Sequence, residues 1–443
     1  MNRQTLTWVG KWTFILAAAG SAVGLGNIWG FPYKAGTNGG GAFVLIYLAC
    51  ILSIGLPIMI SEIMLGKRYR GSPVSTLRAA SIESNNSPIW EIIGWGGLIA
   101  GIFILSFYSV LAGICLDYIF ISLGLKGQID SLAMFQQVTS SPLQLLFWHS
   151  AFIIITAWII AAGVISGIER MVKLLMPLLF ALMILMVINA FINGNFSQAV
   201  SYLFSPDFSA VTANTFLSAM GQAFFSLSLG MGAIMCYGAY MSAEQDIYES
   251  SSIVAGLDTL IALLAGLAIF PIIFAYGVEP NSGPGLVFIS LLSIFADLPF
   301  GNIVGGLFFL LLSIAALSSS ISLLEPSVAY LSENKIITRP IASILLSGIA
   351  WFIGLGSLLS FNLWSDISFI GSRNFLDSMD LIANQFLLPL GGLFVAIYAG
   401  WKLNPSIAKS ELGGSVFVFN LWRFFIRYVS PVLVFAIFVF QFI

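Results

Sequence analysis

Charge is scarce in this chain: 8% of its 443 residues are Asp, Glu, Lys or Arg, where a soluble globular protein carries roughly 25%. An ordinary water-facing surface is thereby excluded. Histidine occurs once, at position 149. With no G-x-S-x-G and no evident serine partner for His149, the pattern argues against a serine hydrolase. Cysteine occurs three times, as Cys50, Cys115 and Cys236, always inside apolar runs. That speaks for buried small residues and against a disulfide framework. The first apolar segment has no A-x-A site and runs on through glycines, so no cleavable signal peptide is expected. What the chain has in abundance is Phe, Leu and Ile, and 59% of it is hydrophobic. These residues come in blocks of twenty or more, the pattern of membrane-spanning helices.

Eleven spans are expected, near 11–36, 42–66, 91–124, 146–164, 171–193, 214–242, 250–277, 299–332, 339–357, 376–400 and 416–442. A helix needs ~20 residues to cross the hydrocarbon, so the third and eighth must tilt or project. The stretch 280–298, opening at Pro280, is too punctuated to span and is expected to be an external loop carrying a short helix. If the N-terminus is cytoplasmic, fourteen cations fall inside or at the inner boundary and three (Lys34, Lys126, Arg373) outside. The positive-inside rule favours that orientation, which puts the C-terminus outside.

Two spans carry glycine clusters: GSAVGLGN at 20–27 in the first and SLSLGMG at 226–232 in the sixth. Glycine inside a helix costs about 1 kcal/mol relative to alanine, and neighbouring Ser and Asn offer the backbone other partners. Small residues also serve close helix packing. The clusters lie five spans apart, as do the two long spans. An odd offset means that a second set of five helices is inverted relative to the first. Paired interrupted helices in inverted repeats point to a secondary transporter with its site near the midplane.

Five acids fall within apolar spans: Glu62, Asp117, Asp258, Glu325 and Asp380. A charge at a helix centre costs on the order of 3 kcal/mol, so such residues pair, meet water or carry function. Asp117 and Glu325 fit a boundary or bundle-interior position. Asp258 has no basic residue nearby in sequence, and a bound cation is one partner that keeps it ionised. Ser318, Ser319, Ser320 and Ser322 interrupt the eighth span. They are packing residues or, beside backbone carbonyls, ligands for a small hard cation.

The run GSAVGLGNIWGFPYKAGTNGGGAF at 20–43 resembles the first helix and following loop of the neurotransmitter:sodium symporter family, and QAFFSLSLGMGAIMCYGAY at 222–240 resembles its sixth helix. FYS at 107–109, ALSSSISLLEP at 316–326 and LDSMD at 376–380 are similar to its third, eighth and tenth helices. Short loops and eleven spans resemble the bacterial amino-acid branch. The resemblance implies an all-α membrane protein: a single transporter domain over 1–443, with inverted repeats 11–193 and 214–400 and an extra helix 416–442. It implies sodium-coupled import of a hydrophobic or aromatic L-amino acid by alternating access, in a bacterial plasma membrane. The partners are the amino acid, sodium ions and the lipid bilayer, with no nucleic acid and no enzymatic activity. A sodium-independent exchanger of similar fold is the alternative.

By the same resemblance, one sodium site uses Ala22, Asn27, Ser226 and Asp258 with the substrate carboxylate. A second uses Gly20, Val23, Ala315, Ser318 and Ser319. The substrate carboxylate meets the amides of Leu25 and Gly26, at the positive end of a half-helix, and the Tyr108 hydroxyl. Its ammonium faces carbonyls near Ala22, Phe225 and Ser226. Ile104, Phe225, Ser228, Met231, Ser319 and Leu323 line the side-chain pocket, with Phe225 as a lid. Glu62 matches a buried acid that braces unwound backbone. Gly167 and Pro177 match the spacing of a fifth-helix end that unwinds inward.

Three departures matter. The outer gate's basic residue is Gly30 here, leaving Asp380 with Lys34 one turn later. At the inner gate Trp8 is present, but Thr5 replaces the basic residue. Arg3 is a displaced candidate, with Glu333 and Tyr240 as inner partners. Asp258 and Ala262 stand where chloride-dependent members place an asparagine and a serine, so no chloride requirement is expected.

Overall fold

The computed structural model describes residues 7–127, 129–279 and 285–440. Arg3 and Thr5, and the Pro280 end of the expected external loop up to residue 284, lie outside the described residues.

Among the described residues, regular structure is helical apart from one isolated bridge between Ile370 and Arg373. Nine helices among the described residues are individually long and apolar enough to cross a membrane. A tenth crossing is the pair Lys11–Ala22 and Gly26–Thr37, bent by 54°. In the sixth position stand Ala213–Ser226 and Ala233–Ala239, each too short to cross alone. Nine to ten crossings are thus long and apolar enough among the described residues, close to the eleven expected, and the sixth is the one that its two short helices leave below that length.

The boundaries shift where local backbone chemistry intervenes. The fifth span begins at Val164, earlier than the apolar run suggests. Gly163, at φ 106°, ends the preceding turn in a conformation that favours glycine, and a wide helical turn Val164–Glu169 follows. The described part of the external loop forms Leu286–Leu291 and Leu292–Asp297, a short helix as expected.

The third (Pro88–Leu123) and eighth (Gly301–Glu333) spans form the centre of the bundle. In the eighth, 83% of the most apolar window is buried, against 22% in the eleventh, which is peripheral. Glycines let the backbones approach where side chains would collide. A Cβ at Gly101 would sit 2.4 Å from the Leu323 carbonyl oxygen, and one at Gly97 2.7 Å from that of Met231. The third span thus packs against both the eighth span and the break in the sixth.

Two of the intramembrane acids are structural. Glu325 is paired with Arg339 at the start of the ninth span (Nη1 to Oε1, 3.0 Å) and accepts from Tyr240 Oη at 2.8 Å. Asp117 accepts from Gln144 Nε2 at 2.6 Å. His149 is buried, with Nε2 3.2 Å from the Trp351 carbonyl oxygen, which links the fourth and ninth spans. All three cysteines are free and buried.

Candidate functional site

The first span stops being helical at Ala22. Val23 is extended (φ −75°, ψ 105°), and helical turns resume at Gly26. The glycines here answer to close neighbours. A Cβ at Gly24 would meet Ser319 Oγ at 2.5 Å and Tyr108 Oη at 3.0 Å, and one at Gly26 would meet the Phe225 ring at 2.6 Å. The freed Leu25 amide donates to Tyr108 Oη at 3.3 Å, and the Gly24 amide to Asn27 Oδ1 at 3.3 Å.

The sixth span opens between Ser226 and Ala233. Ser228, Gly230 and Gly232 take left-handed φ values of 54°, 80° and 77°. Glu62 reaches this break from the second span, and its Oε1 accepts the Gly230 amide at 2.8 Å. Ser228 Oγ donates to the Ser21 carbonyl at 2.8 Å, joining the two breaks. Buried backbone groups that no helix satisfies have thus found partners from four different spans.

Asp258 is fully buried beside the breaks. Its Oδ1 accepts from Asn27 Nδ2 at 2.7 Å, and its Oδ2 from Ser226 Oγ at 3.1 Å and Tyr47 Oη at 3.2 Å. Three of the residues expected at one ion site, Asn27, Ser226 and Asp258, therefore converge on one another. Tyr47 is an addition that the sequence did not reveal. The second expected set also assembles: Ser318 Oγ donates to the Ala315 carbonyl at 3.0 Å and Ser319 Oγ to that of Val23 at 3.3 Å. Gly20 faces Ser318, whose Cβ lies 3.4 Å from where a glycine Cβ would be. The first cluster brings together amide, hydroxyl and carboxylate groups and the second hydroxyls and backbone carbonyls, oxygen ligands of the kind a hard cation takes.

A cavity of about 30 Å³ lies between the breaks and the eighth span. Ala22, Gly26, Ile104, Tyr108, Phe225, Ser228, Met231, Ser319 and Leu323 line it, as expected, together with Ser21, Gly24 and Ser322. Leu25 lines a second, larger cavity of about 540 Å³, along with Gly30, Lys34, Gln222 and Asp380. Ser226 turns instead to Asp258. Phe225 borders both cavities, as do Gly26 and Tyr108. In the larger one, Asp380 accepts from Asn384 Nδ2 at 2.7 Å, and among the described ion pairs none joins it to Lys34. Gln222 Nε2 donates to the Gly26 carbonyl at 2.8 Å, another contact that sequence patterning did not indicate.

At the N-terminal end of the first span, Trp8 is locked against the C-terminal half of the sixth. Its amide donates to the Tyr240 carbonyl at 2.8 Å and its indole N–H to that of Tyr237 at 3.1 Å. Both tyrosine rings meet the indole edge-on. Tyr240 gives its hydroxyl to Glu325, while Glu333 Oε2 accepts the Ser72 amide at 2.9 Å. The expected inner-gate residues thus occupy one neighbourhood but bind different partners. Gly167 and Pro177 both lie in continuous helical backbone. A Cβ at Gly167 would sit 2.0 Å from the Ile159 carbonyl oxygen.

Similarity to known proteins covers the whole chain. The model of the sodium:neurotransmitter symporter family matches residues 5–131 and 130–443. An uncharacterized sodium-dependent transporter of Haemophilus influenzae is 35% identical over 99% of this chain and 98% of its own length. The uncharacterized sodium-dependent transporter YhdH of Bacillus subtilis is 34% identical over the same shares. The crystal structure of MhsT in complex with L-phenylalanine superposes with a TM-score of 0.91, at 42% identity over 100% of both chains.

Proposed function

This chain belongs to the sodium:neurotransmitter symporter family, a family of secondary transporters and not of enzymes, and from that premise we propose that it imports a hydrophobic or aromatic L-amino acid coupled to sodium, without chloride. The observation that carries the reading is the meeting of Asn27, Ser226 and Asp258 where two broken helices face a closed pocket. Unpaired peptide groups deep in hydrocarbon are costly, and alkali ions together with a zwitterion complete them. The apolar lining suits a hydrophobic side chain, and the unbranched thioether of Met231 adapts to a larger one. The L-phenylalanine held by MhsT is of that class.

In this reading the two clusters are two sodium sites, and the halves 11–193 and 214–400 are the inverted repeat that alternates access. Sodium orders the broken helices, and the substrate carboxylate joins the Asp258 site, so ion and amino acid bind cooperatively. Phe225 closes the pocket from the outside, where Lys34 and Asp380 line the vestibule. Trp8, Tyr240 and Glu333 close the cytoplasmic side, and the Gly167–Pro177 segment unwinds to free the second sodium. A membrane potential adds ~2.3 kcal/mol per charge per 100 mV. The fixed carboxylate of Asp258 takes the place of chloride, and Ala262 offers no hydroxyl to one. A sodium-independent exchanger is the second reading, but the Ser318 and Ser319 hydroxyls beside the carbonyls of Ala315 and Val23 favour a sodium site.

The test is a binding screen of the twenty amino acids on purified protein in sodium, potassium and choline. Retention of a hydrophobic or aromatic amino acid in sodium alone is expected, and equal retention in all three ends the proposal. In proteoliposomes, uptake is expected to survive replacement of chloride by gluconate. Its disappearance would refute the chloride-free site. Lys34→Ala is expected to weaken uptake, and unchanged uptake and affinity would remove Lys34 from the gate.

A further inference from the structure

Five hydroxyls line the small cavity, those of Ser21, Tyr108, Ser228, Ser319 and Ser322. Four are engaged. Tyr108 accepts the Leu25 amide, Ser228 and Ser319 donate to the Ser21 carbonyl (2.8 and 3.3 Å), and Ser322 donates to the Ser319 carbonyl (2.8 Å). The fifth, Ser21 Oγ, is buried with no hydrogen-bond partner. Many serines in these helices return their hydroxyls to the carbonyl four residues back, as Ser109, Ser313 and Ser332 do, and the unpartnered ones outside the first span, such as Ser122 and Ser327, do not line this cavity. Ser21 makes no such bond, although it occupies the last turn of its helix.

Two neighbouring hydroxyls donate to the Ser21 carbonyl and hold its peptide at the wall of the pocket, while its own hydroxyl has no partner. A buried hydroxyl without a partner is unfavourable, and a ligand group that satisfies it gains accordingly. The breaks themselves supply amides and carbonyls for the charged end of an amino acid, which leaves Ser21 to the side chain.

We infer that Ser21 Oγ accepts a hydrogen bond from a ring N–H or O–H of an aromatic substrate. The inference rests on the amino-acid reading above and narrows it: the preferred side chain is apolar with one donor on its ring, as in an indole or a phenol. A site built to pair such a group discriminates against the isostere that lacks it.

Competition binding on the full-length protein in sodium tests this with two matched pairs: L-tryptophan against L-3-benzothienylalanine, in which sulfur replaces the ring N–H, and L-tyrosine against L-phenylalanine. The wild type is expected to favour the donor-bearing member of at least one pair by about five- to tenfold, and the pair that shows the preference identifies the donor. In Ser21→Ala that ratio should fall to within about twofold, and Ser21→Thr, which keeps the hydroxyl, should restore it. Equal ratios in wild type and Ser21→Ala overturn the assignment. So does a wild type with no preference in either pair, a result that stands even if the variants fail to fold. A wild type that holds none of the four better in sodium than in potassium removes the amino-acid reading itself.

Discussion

At the scale of single residues, Asp258 carries the most consequence. It is a carboxylate with three hydrogen-bond donors and no basic partner among the described ion pairs, which suits the sodium site proposed for it. Asp258→Asn keeps the size and removes the charge. The sodium concentration for half-maximal uptake is expected to rise at least about tenfold, since opposite charges interact strongly where the surroundings are poorly polarisable. Sodium titration of uptake measures it, and an unchanged midpoint would take Asp258 out of the ion site. Asp258 was legible in the sequence as an acid in an apolar run, whereas Asn27 and Ser226 were named only through the family resemblance. Tyr47, Gln222 and Ser21 were not legible. Ser21 lies in a glycine cluster that was read for its backbone and not for its side chains, and only the packing of distant spans brings Tyr47 to Asp258, Gln222 to the Gly26 carbonyl and Ser21 to the pocket.

At the scale of elements, the C-terminal half of the sixth span is held by the second. A Cβ at Gly66 would sit 1.9 Å from the Met235 carbonyl oxygen, so the two backbones touch. Arg70 caps the end of the short helix Ala233–Ala239 by donating to the carbonyls of Ala239 and Met241, and Lys67 Nζ reaches the Gln245 carbonyl at 2.8 Å. Gly66→Ala must push these helices apart. It is expected to lower the melting temperature in detergent, with a loss of a few kcal/mol typical of overpacking. A variant as stable as wild type would show that the contact yields. The order and approximate number of spans followed from hydropathy alone, since length and apolarity are local properties. The start of the fifth span did not, because Val164–Glu169 owes its helicity to the turn at Gly163, not to apolar content.

At the scale of the whole molecule, the positive-inside rule predicts a cytoplasmic N-terminus, the orientation that places fourteen cations inside and three outside. Single cysteines at Lys126 and Lys409 test it in intact cells. The native cysteines are buried, so a membrane-impermeant maleimide should label Lys126→Cys and spare Lys409→Cys until the membrane is permeabilised. The reverse pattern would invert the topology and with it the direction of import.

The Phe225 ring rests where a methyl group on residue 26 would have to be. The headroom of the chamber is therefore set by one missing carbon atom. An amino acid whose tail is too tall for that ceiling would prop the ring ajar, occupy the protein and stall it, acting as a wedge and not as a passenger. Bulk at that end of a ligand is the simplest chemical handle for turning a cargo into a blocker.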